Sequence, residues 1–183
     1  MATTVPALDG IYELDRTHST VQFAVRHLGV STFRASFGEI HARLTIHDGA
    51  AELDARAVVE SVSIVEPPDF REHVVRGQDF FAADDHPLIT FRSTSVVFDE
   101  QETAIVAGEL TIRGLSHAVT ARGTFTPPTE DPFGRTRLGL ALAATIDRKQ
   151  WGMDWQTPLP NGGDALGWEV EISAQLELTR ISR

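Results

Sequence analysis

The chain has 183 residues, no cysteine and a formal charge of −10, from 26 acidic and 16 basic residues. This length predicts one domain over residues 1–183 with a sizeable core. The lack of cysteine excludes disulfides, thiolate metal sites and cysteine nucleophiles, and the negative charge argues against nucleic acid as a partner. No apolar run approaches the roughly 20 residues of a membrane helix, and residues 1–10 carry no basic and apolar signal region. We therefore expect a cytoplasmic protein without stable membrane insertion.

The first clear strand lies in the segment from residue 14 to residue 28. Val21, Phe23 and Val25 alternate with polar residues, so they share one face of this predicted strand. By the same parity, His27 falls on the apolar face. A histidine in that place predicts either a buried structural side chain or a polar contact for a ligand.

Seven later segments alternate in the same way, and short turns join most of them. They cover residues 40–46, 53–59, 89–98, 106–112, 119–125, 138–146 and 170–178. Eight half-buried strands joined by short turns predict an all-β fold, namely an antiparallel barrel or a sandwich.

One segment has a helical pattern instead. Pro67 and Pro68 can begin a helix, Phe70 and Val74 share one of its faces, and Gly77 can end it. We expect this short helix to cover one end of the barrel. Two segments rich in proline and glycine, 126–135 and 157–167, are predicted as loops at the barrel rim.

The search for catalytic motifs finds none of the common nucleophile, zinc or phosphate-loop patterns. His41 and His47 fall on the polar face of their strand, which predicts solvent-exposed side chains rather than metal ligands. We therefore predict neither a metal site nor a cofactor, and no catalytic residue.

Six sequence blocks carry a family resemblance. They are L-D-R-T-H-S-T-V-Q-F-A-V-R-H at 14–27, S-T-F-R-A-S-F-G at 31–38, R-G-Q-D-F-F at 76–81, H-P-L-I-T-F-R-S-T at 86–94, G-E-L-T-I-R-G at 108–114 and D-R-K-Q-W-G-M at 147–153. In this order they resemble the YceI-like family. The resemblance implies an eight-stranded, lipocalin-like antiparallel β-barrel with a short covering helix. It also implies a frequent homodimer whose lumen holds a long apolar molecule such as a polyisoprenoid, an isoprenoid quinone or a fatty-acid derivative.

The inward parity of the strands agrees with a hollow lumen, because small residues alternate there with large ones. An eight-stranded barrel is either just filled by side chains or just able to hold one small ligand, so side-chain size decides. The small inward residues are Ala42, Ala55, Ala57, Gly108, Ala144 and Ala174. The competing interpretation is that they merely accommodate the helix or crossing strands.

We predict a ligand site with three parts. The apolar tail would contact Phe23, Val25, Phe37, Leu44, Phe91, Leu110 and Leu140. Phe70 and Val74 would form a lid above it. The head group would lie near His18 or His27, with Arg34 and Arg71 as candidate cations; Arg76 and Arg148 are further candidates for an anionic head.

The lid departs from the family pattern. The position where the family usually has histidine is Val74 here, and His73 comes one residue earlier. One residue turns a helix by about 100°, so His73 cannot take over that role. The lid is therefore expected to be more apolar.

Two alternatives stay open. The first is an enzyme, a hydrolase or an isomerase, that uses the region of His18 and His27 on a lipid-like molecule. The second is a barrel filled by its own side chains that serves as a dimerisation or interaction module.

Overall fold

A computed structural model describes residues 8–182, without the side chain of Ser182. Its regular elements are β1 (Gly10–Leu14), β2 (Thr20–His27), β3 (Ser31–Ser36), β4 (Ile40–His47), β5 (Ala50–Val58), α1 (Pro68–Arg76), β6 (Leu88–Phe98), β7 (Thr103–Ile112), β8 (Leu115–Glu130), β9 (Thr136–Asp147) and β10 (Leu166–Ser182). Two short 3₁₀ turns, Val59–Ser61 and Arg148–Trp151, follow β5 and β9.

The strands form a closed antiparallel barrel of eight. The pairing runs β1–β4–β5–β6–β7–β8–β9–β10, and β10 then pairs with β1 to close the ring. The ladder between β9 and β10 is long and regular, from the pair Glu169 and Asp147 to the pair Thr179 and Arg137. The predicted all-β barrel is confirmed, because closure excludes a two-layer sandwich.

The hairpin of β2 and β3 extends the barrel at one end. The amino-terminal half of β10 pairs with β2, and its carboxy-terminal part pairs with β1, so β1 and β2 lie one after the other along the same neighbour. The sequence analysis missed β1 and β3. Both are short, five and six residues, and a run of that length gives few alternations to recognise.

The predicted alternation is visible in the burial of the strands. Along β4, Ile40, Ala42, Leu44 and Ile46 are buried, while the residues between them are partly or fully exposed. The buried side chains fall into two clusters at opposite ends of the barrel. The lid-end core contains Phe37, Ile40, Val62, Ile64, Val74, Val75, Phe81, Ile112, Ile146 and Trp151 among others. The closed-end core contains Tyr12, Leu44, Ile46, Ala104, Phe125, Leu138, Leu140 and Leu178 among others.

The helix α1 begins and ends where the sequence predicts. Pro68 is its first residue, and Gly77 follows its last. Glycine is needed at 77 because a Cβ there would lie 2.4 Å from the carbonyl oxygen of His73. Val74 and Val75 are buried against the barrel, so α1 covers the lid end.

The predicted rim loop at 126–135 is wrong over its first half. Strand β8 continues to Glu130, and only a short turn separates it from β9. Pro127 and Pro128 fall where the register between the two strands shifts, between Thr126 and Thr129. Proline is tolerated in a strand at such an irregularity because no ladder hydrogen bond is required of it. The second predicted loop, 157–167, ends where β10 begins at Leu166.

An ion-pair network lies at the closed end of the barrel. Arg137 of β9 donates hydrogen bonds to Asp15, which follows β1 (2.7 Å), to Asp131 in the turn (2.8 Å) and to Glu177 of β10 (2.5 Å). The bond from Arg137 lowers the pKa of Asp131 to about 2, and the backbone N–H groups of Arg135 and Phe133, which also donate to this carboxylate, act in the same direction. The pKa of Asp15 is lowered as well, through Arg137 and then through His18. The network therefore links β1 and β10, the two strands whose pairing closes the barrel.

We predict that Asp131→Asn destabilises the protein in a pH-dependent way. A carboxyl whose pKa is depressed in the folded state stabilises that state above its unfolded pKa of about 3.9, and the stabilisation is lost as the pH falls towards the folded pKa. The urea midpoint of the variant should lie below that of the native chain at pH 7, and the difference should shrink from about pH 4 downwards.

The matched control is Asp54→Asn, which removes an exposed pair with Arg92 (3.0 Å) on the outer face. Exposed pairs of this kind contribute about 0–1 kcal/mol, so its urea midpoint should change little. Equal and pH-independent losses in both variants would contradict the prediction.

Candidate apolar site

An apolar cavity of about 180 Å³ lies inside the barrel, between the two cores. Its wall comes from inward residues of most strands and is almost wholly apolar. The lining side chains include Leu14, Val21, Phe23, Phe37, Ile40, Ala42, Leu53, Ala55, Ala57, Phe81, Ile89, Phe91, Val106, Leu110, Ile112, Val119, Ala121, Leu142, Ala144, Ile172, Ala174 and Leu176. Such a site offers a ligand dispersion contacts and removal of apolar surface from water, with few hydrogen bonds.

Three phenylalanines close the lid side of the cavity. The ring centroids of Phe23 and Phe37 are 5.7 Å apart, those of Phe23 and Phe81 6.0 Å, and those of Phe37 and Phe81 6.1 Å. All three residues line the cavity. We call this group the phenylalanine triad. Ile40 and Ile112, also of the lid-end core, line the cavity together with it.

The other side of the cavity is closed by aliphatic side chains. Leu53, Val106, Leu142 and Leu176 line the cavity and belong to the closed-end core. Beyond them the core is densely filled, and Tyr12, Leu44, Leu140 and Leu178 are at most 2% exposed. The rings of Phe98 and Phe125 stack in the same core at 4.2 Å.

The small inward residues explain why space remains. Five of the six that the sequence analysis singled out line the cavity, namely Ala42, Ala55, Ala57, Ala144 and Ala174. The sixth, Gly108, has a different reason. A Cβ at 108 would lie 2.6 Å from Cζ of Phe91 and 2.3 Å from the carbonyl oxygen of Arg92. Gly108 therefore makes room for the Phe91 ring and the neighbouring strand, and not for a guest.

The residues predicted to contact an apolar tail separate into two groups. Phe23, Phe37, Phe91 and Leu110 line the cavity. Val25, Leu44 and Leu140 are buried elsewhere and do not belong to the lining. Leu44 and Leu140 face inward as expected, but they lie in the closed-end core, because strand parity gives the face and not the depth along the barrel axis.

The two predicted lid residues also lie outside the lining. Val74 is buried in the lid-end core, and Phe70 is 39% exposed. The Phe70 ring packs edge-on against Phe33, with centroids 5.8 Å apart, and Phe33 in turn lies 6.2 Å from Phe23. His73 is exposed and packs on the Phe80 ring, so it does not reach the cavity.

The predicted place of His27 on the buried face of its strand is wrong. His27 is exposed at the end of β2, because the chain turns there into the β2–β3 hairpin and the parity of the strand no longer decides its environment. His18 is also exposed, 3.1 Å from Asp15 and 3.8 Å from Glu177. The eight residues of β2 separate the two histidines by roughly 25 Å, so they cannot act on one small substrate. Asp15 and Glu177 already bind the guanidinium of Arg137.

The four candidate arginines do not converge on the cavity. Arg34 is exposed and donates only a weak hydrogen bond to the carbonyl of Thr32. Arg71 pairs with Glu60 at 3.1 Å. Arg76 pairs with Glu60, Glu72 and Asp84, and these carboxylates raise its pKa. Arg71 and Arg76 thus fasten α1 to neighbouring segments.

Arg148 has a structural role that the sequence did not indicate. Only 3% exposed, it donates hydrogen bonds to four carbonyl oxygens, and its guanidinium lies 4.2 Å from the ring centroid of Trp168. The four acceptors belong to Met153 (2.5 Å), Trp155 (2.9 Å), Leu166 (3.3 Å) and Gly167 (2.8 Å). Burial lowers the pKa of Arg148, and nearby aspartates oppose this shift. The side chain thus holds the segment between β9 and β10 against the barrel.

We predict that Arg148→Met lowers the free energy of unfolding by about 2–4 kcal/mol, because four partly buried carbonyl oxygens lose their donor. Arg148→Lys keeps the charge but cannot reproduce the planar fork of donors, so its free energy of unfolding should lie between those of the native chain and the methionine variant. Urea denaturation followed by tryptophan fluorescence measures both. A methionine variant as stable as the native chain would contradict this role.

Within residues 8–182, the structure contains no helix with the length and apolar character of a membrane span.

The sequence analysis overlooked part of the cavity lining, such as Val119, Ala121 and Ile172. The alternation of β8 and β10 already placed these three on the inward face, so parity was the signal that could have found them.

Comparison with known proteins gives the family of the chain. The YceI-like domain matches residues 12–178. A UPF0312 protein of Staphylococcus epidermidis is 30% identical over 171 residues, which cover 92% of this chain and 96% of that protein. A UPF0312 protein of Staphylococcus aureus is 29% identical with the same coverage.

Solved structures show the same fold. BcnA of Burkholderia cenocepacia superposes with a TM-score of 0.70 at 20% identity, over 90% of this chain and 98% of that one. The YceI protein of Campylobacter jejuni gives 0.68 at 20% identity, over 85% and 89%. A polyisoprenoid binding domain from Saccharophagus degradans, implicated in plant cell wall breakdown, gives 0.66 at 13% identity, over 92% and 98%. With the family match over nearly its whole length, the chain belongs to the YceI-like family.

Proposed function

We propose that this protein binds an apolar ligand inside its barrel, for storage, carriage or protection of that molecule. The observation that carries the proposal is the cavity itself, with its almost wholly apolar lining. A cavity of similar size lined by Leu, Ile and Phe, about 150 Å³, stays dry and binds benzene. Water finds few hydrogen-bond partners in such a space, so it competes only weakly with an apolar guest.

The chemistry of the lining favours hydrocarbon over polar guests. Each methylene transferred from water contributes about 0.8 kcal/mol before the costs of association. Polyisoprenoids, isoprenoid quinones and fatty-acid derivatives are the ligand classes that the family resemblance implies. The similar fold of the polyisoprenoid binding domain from Saccharophagus degradans supports the same class. None of the four candidate arginines lines the cavity, and this supports a neutral head.

Binding accounts for the structure better than catalysis. The enzyme alternative required polar groups that converge around His18 and His27, and these residues lie at opposite ends of β2. The filled-barrel alternative required a lumen without space, and the cavity argues against it. The homodimer and the cytoplasmic location predicted from the sequence are part of this proposal. Exposed apolar side chains at the lid end, Val30, Val65 and Phe70, support a contact with a second copy.

The proposal predicts that Ala144→Phe abolishes ligand binding without unfolding the protein. A phenyl ring is the size of benzene, so at 144 it would occupy most of the cavity from inside. Native mass spectrometry of gently purified protein, followed by organic extraction, should detect a bound apolar molecule in the native chain and none in this variant.

The control is Ala118→Leu, an enlargement on the outward face of β8, where Ala118 is exposed. It should retain the ligand. The proposal fails if the native chain carries no guest at any condition tried, or if Ala144→Phe carries as much as the native chain.

A further inference from the structure

The cavity is small. Its volume of about 180 Å³ exceeds by little the roughly 150 Å³ that accommodates benzene. An apolar group of about six to eight carbons therefore fills it. A long isoprenoid or acyl chain has several times as many carbons, so the space that exists cannot enclose such a chain entirely.

The barrel wall cannot widen to admit more. Its eight strands are hydrogen-bonded into a ring, and the strand number and stagger of a closed barrel fix its diameter. A longer ligand could gain room only along the axis. Whether it does depends on what fills the two ends.

The closed end resists extension. Tyr12, Leu44, Leu140 and Leu178 are at most 2% exposed in this core, and the rings of Phe98 and Phe125 stack in it as well. Displacing such a core costs the packing of many side chains at once. The limit on this side is therefore rigid.

At the lid end, aromatic rings form part of the cavity wall. The phenylalanine triad lines the cavity and packs in the same core cluster as Val74 and Val75 of α1, and its three rings contact each other pairwise. Phe81 is on the segment that follows α1, and its backbone N–H donates to the carbonyl of Val74. Removing one ring of the triad adds its volume directly to the cavity, because each ring is part of the lining.

We infer that the lumen encloses one compact apolar group of about six to eight carbons, either a short molecule or the end of a longer chain, and that the phenylalanine triad sets this limit. This inference rests on the proposed function and makes it specific. Any remaining length of a ligand lies outside the lumen. Binding strength therefore depends on the enclosed segment and not on total chain length.

The test uses the full chain, freed of co-purified ligand, and linear 1-alkanols of about four to fourteen carbons as probes. Isothermal titration calorimetry measures each dissociation constant. Every methylene that enters the lumen should strengthen binding by about four-fold. We expect this gain to stop near eight carbons, beyond which the affinity becomes constant.

Two matched substitutions assign the limit to the triad. Phe81→Ala should move the break to longer alkanols by several carbons. Phe125→Ala removes the same ring from the closed-end core, where Phe125 is 3% exposed and does not line the cavity, so it should leave the break unchanged. Should Phe81→Ala fail to fold, Phe81→Leu removes less volume and should give a smaller shift in the same direction.

The outcomes separate the two levels of the inference. An affinity that rises steadily to fourteen carbons in the native chain overturns the length limit and leaves the proposed function in place. A break that moves with Phe125→Ala and not with the variants of Phe81 overturns the role of the triad. If no alkanol of any length binds, the proposed function itself fails.

Discussion

Closure of the sheet between β1 and β10 is the constraint on which the rest of this structure depends. In an open sheet, the edge strands would carry unpaired backbone groups and the inward face would need a second layer to cover it. Once β10 pairs with β1, the inward face covers itself, and the barrel radius is fixed by the number and stagger of its strands. Arg137 lies at this seam and links β9, β10 and the end of β1 through three carboxylates.

Within a barrel of fixed radius, the sizes of inward side chains decide where space is left. Leucines, Tyr12 and the stacked pair Phe98 and Phe125 fill the closed end. At the middle of the barrel, alanines of five strands leave a gap, and the phenylalanine triad lines it on the lid side. The same alternation of small and large residues thus produces both a stable core and a cavity, at different depths along one axis.

Two of the candidate cations bind other groups of the protein and do not line the cavity. Arg148 satisfies four carbonyl oxygens of the segment that leads into β10, and Arg76 joins α1 to Glu60 and Asp84. These cations are occupied, and the wall of the lumen is almost wholly apolar. The same fold occurs in BcnA, the YceI protein of Campylobacter jejuni and a polyisoprenoid binding domain at low sequence identity.

The sequence by itself determined the period of the strands, the place of the helix and the inward face. These are local properties, because a two-residue period or a proline before an apolar helix turn is readable from neighbouring residues. Phe23, Phe37, Phe91 and Leu110 were found in this way. Only the tertiary structure decided how deep along the barrel axis each inward residue lies and which strands pair to close the barrel. Leu44 and Leu140 have the right parity but the wrong depth, and the turn after β2 exposes His27. Depth along the axis depends on the stagger between strands, which is set by pairing between residues far apart in the chain.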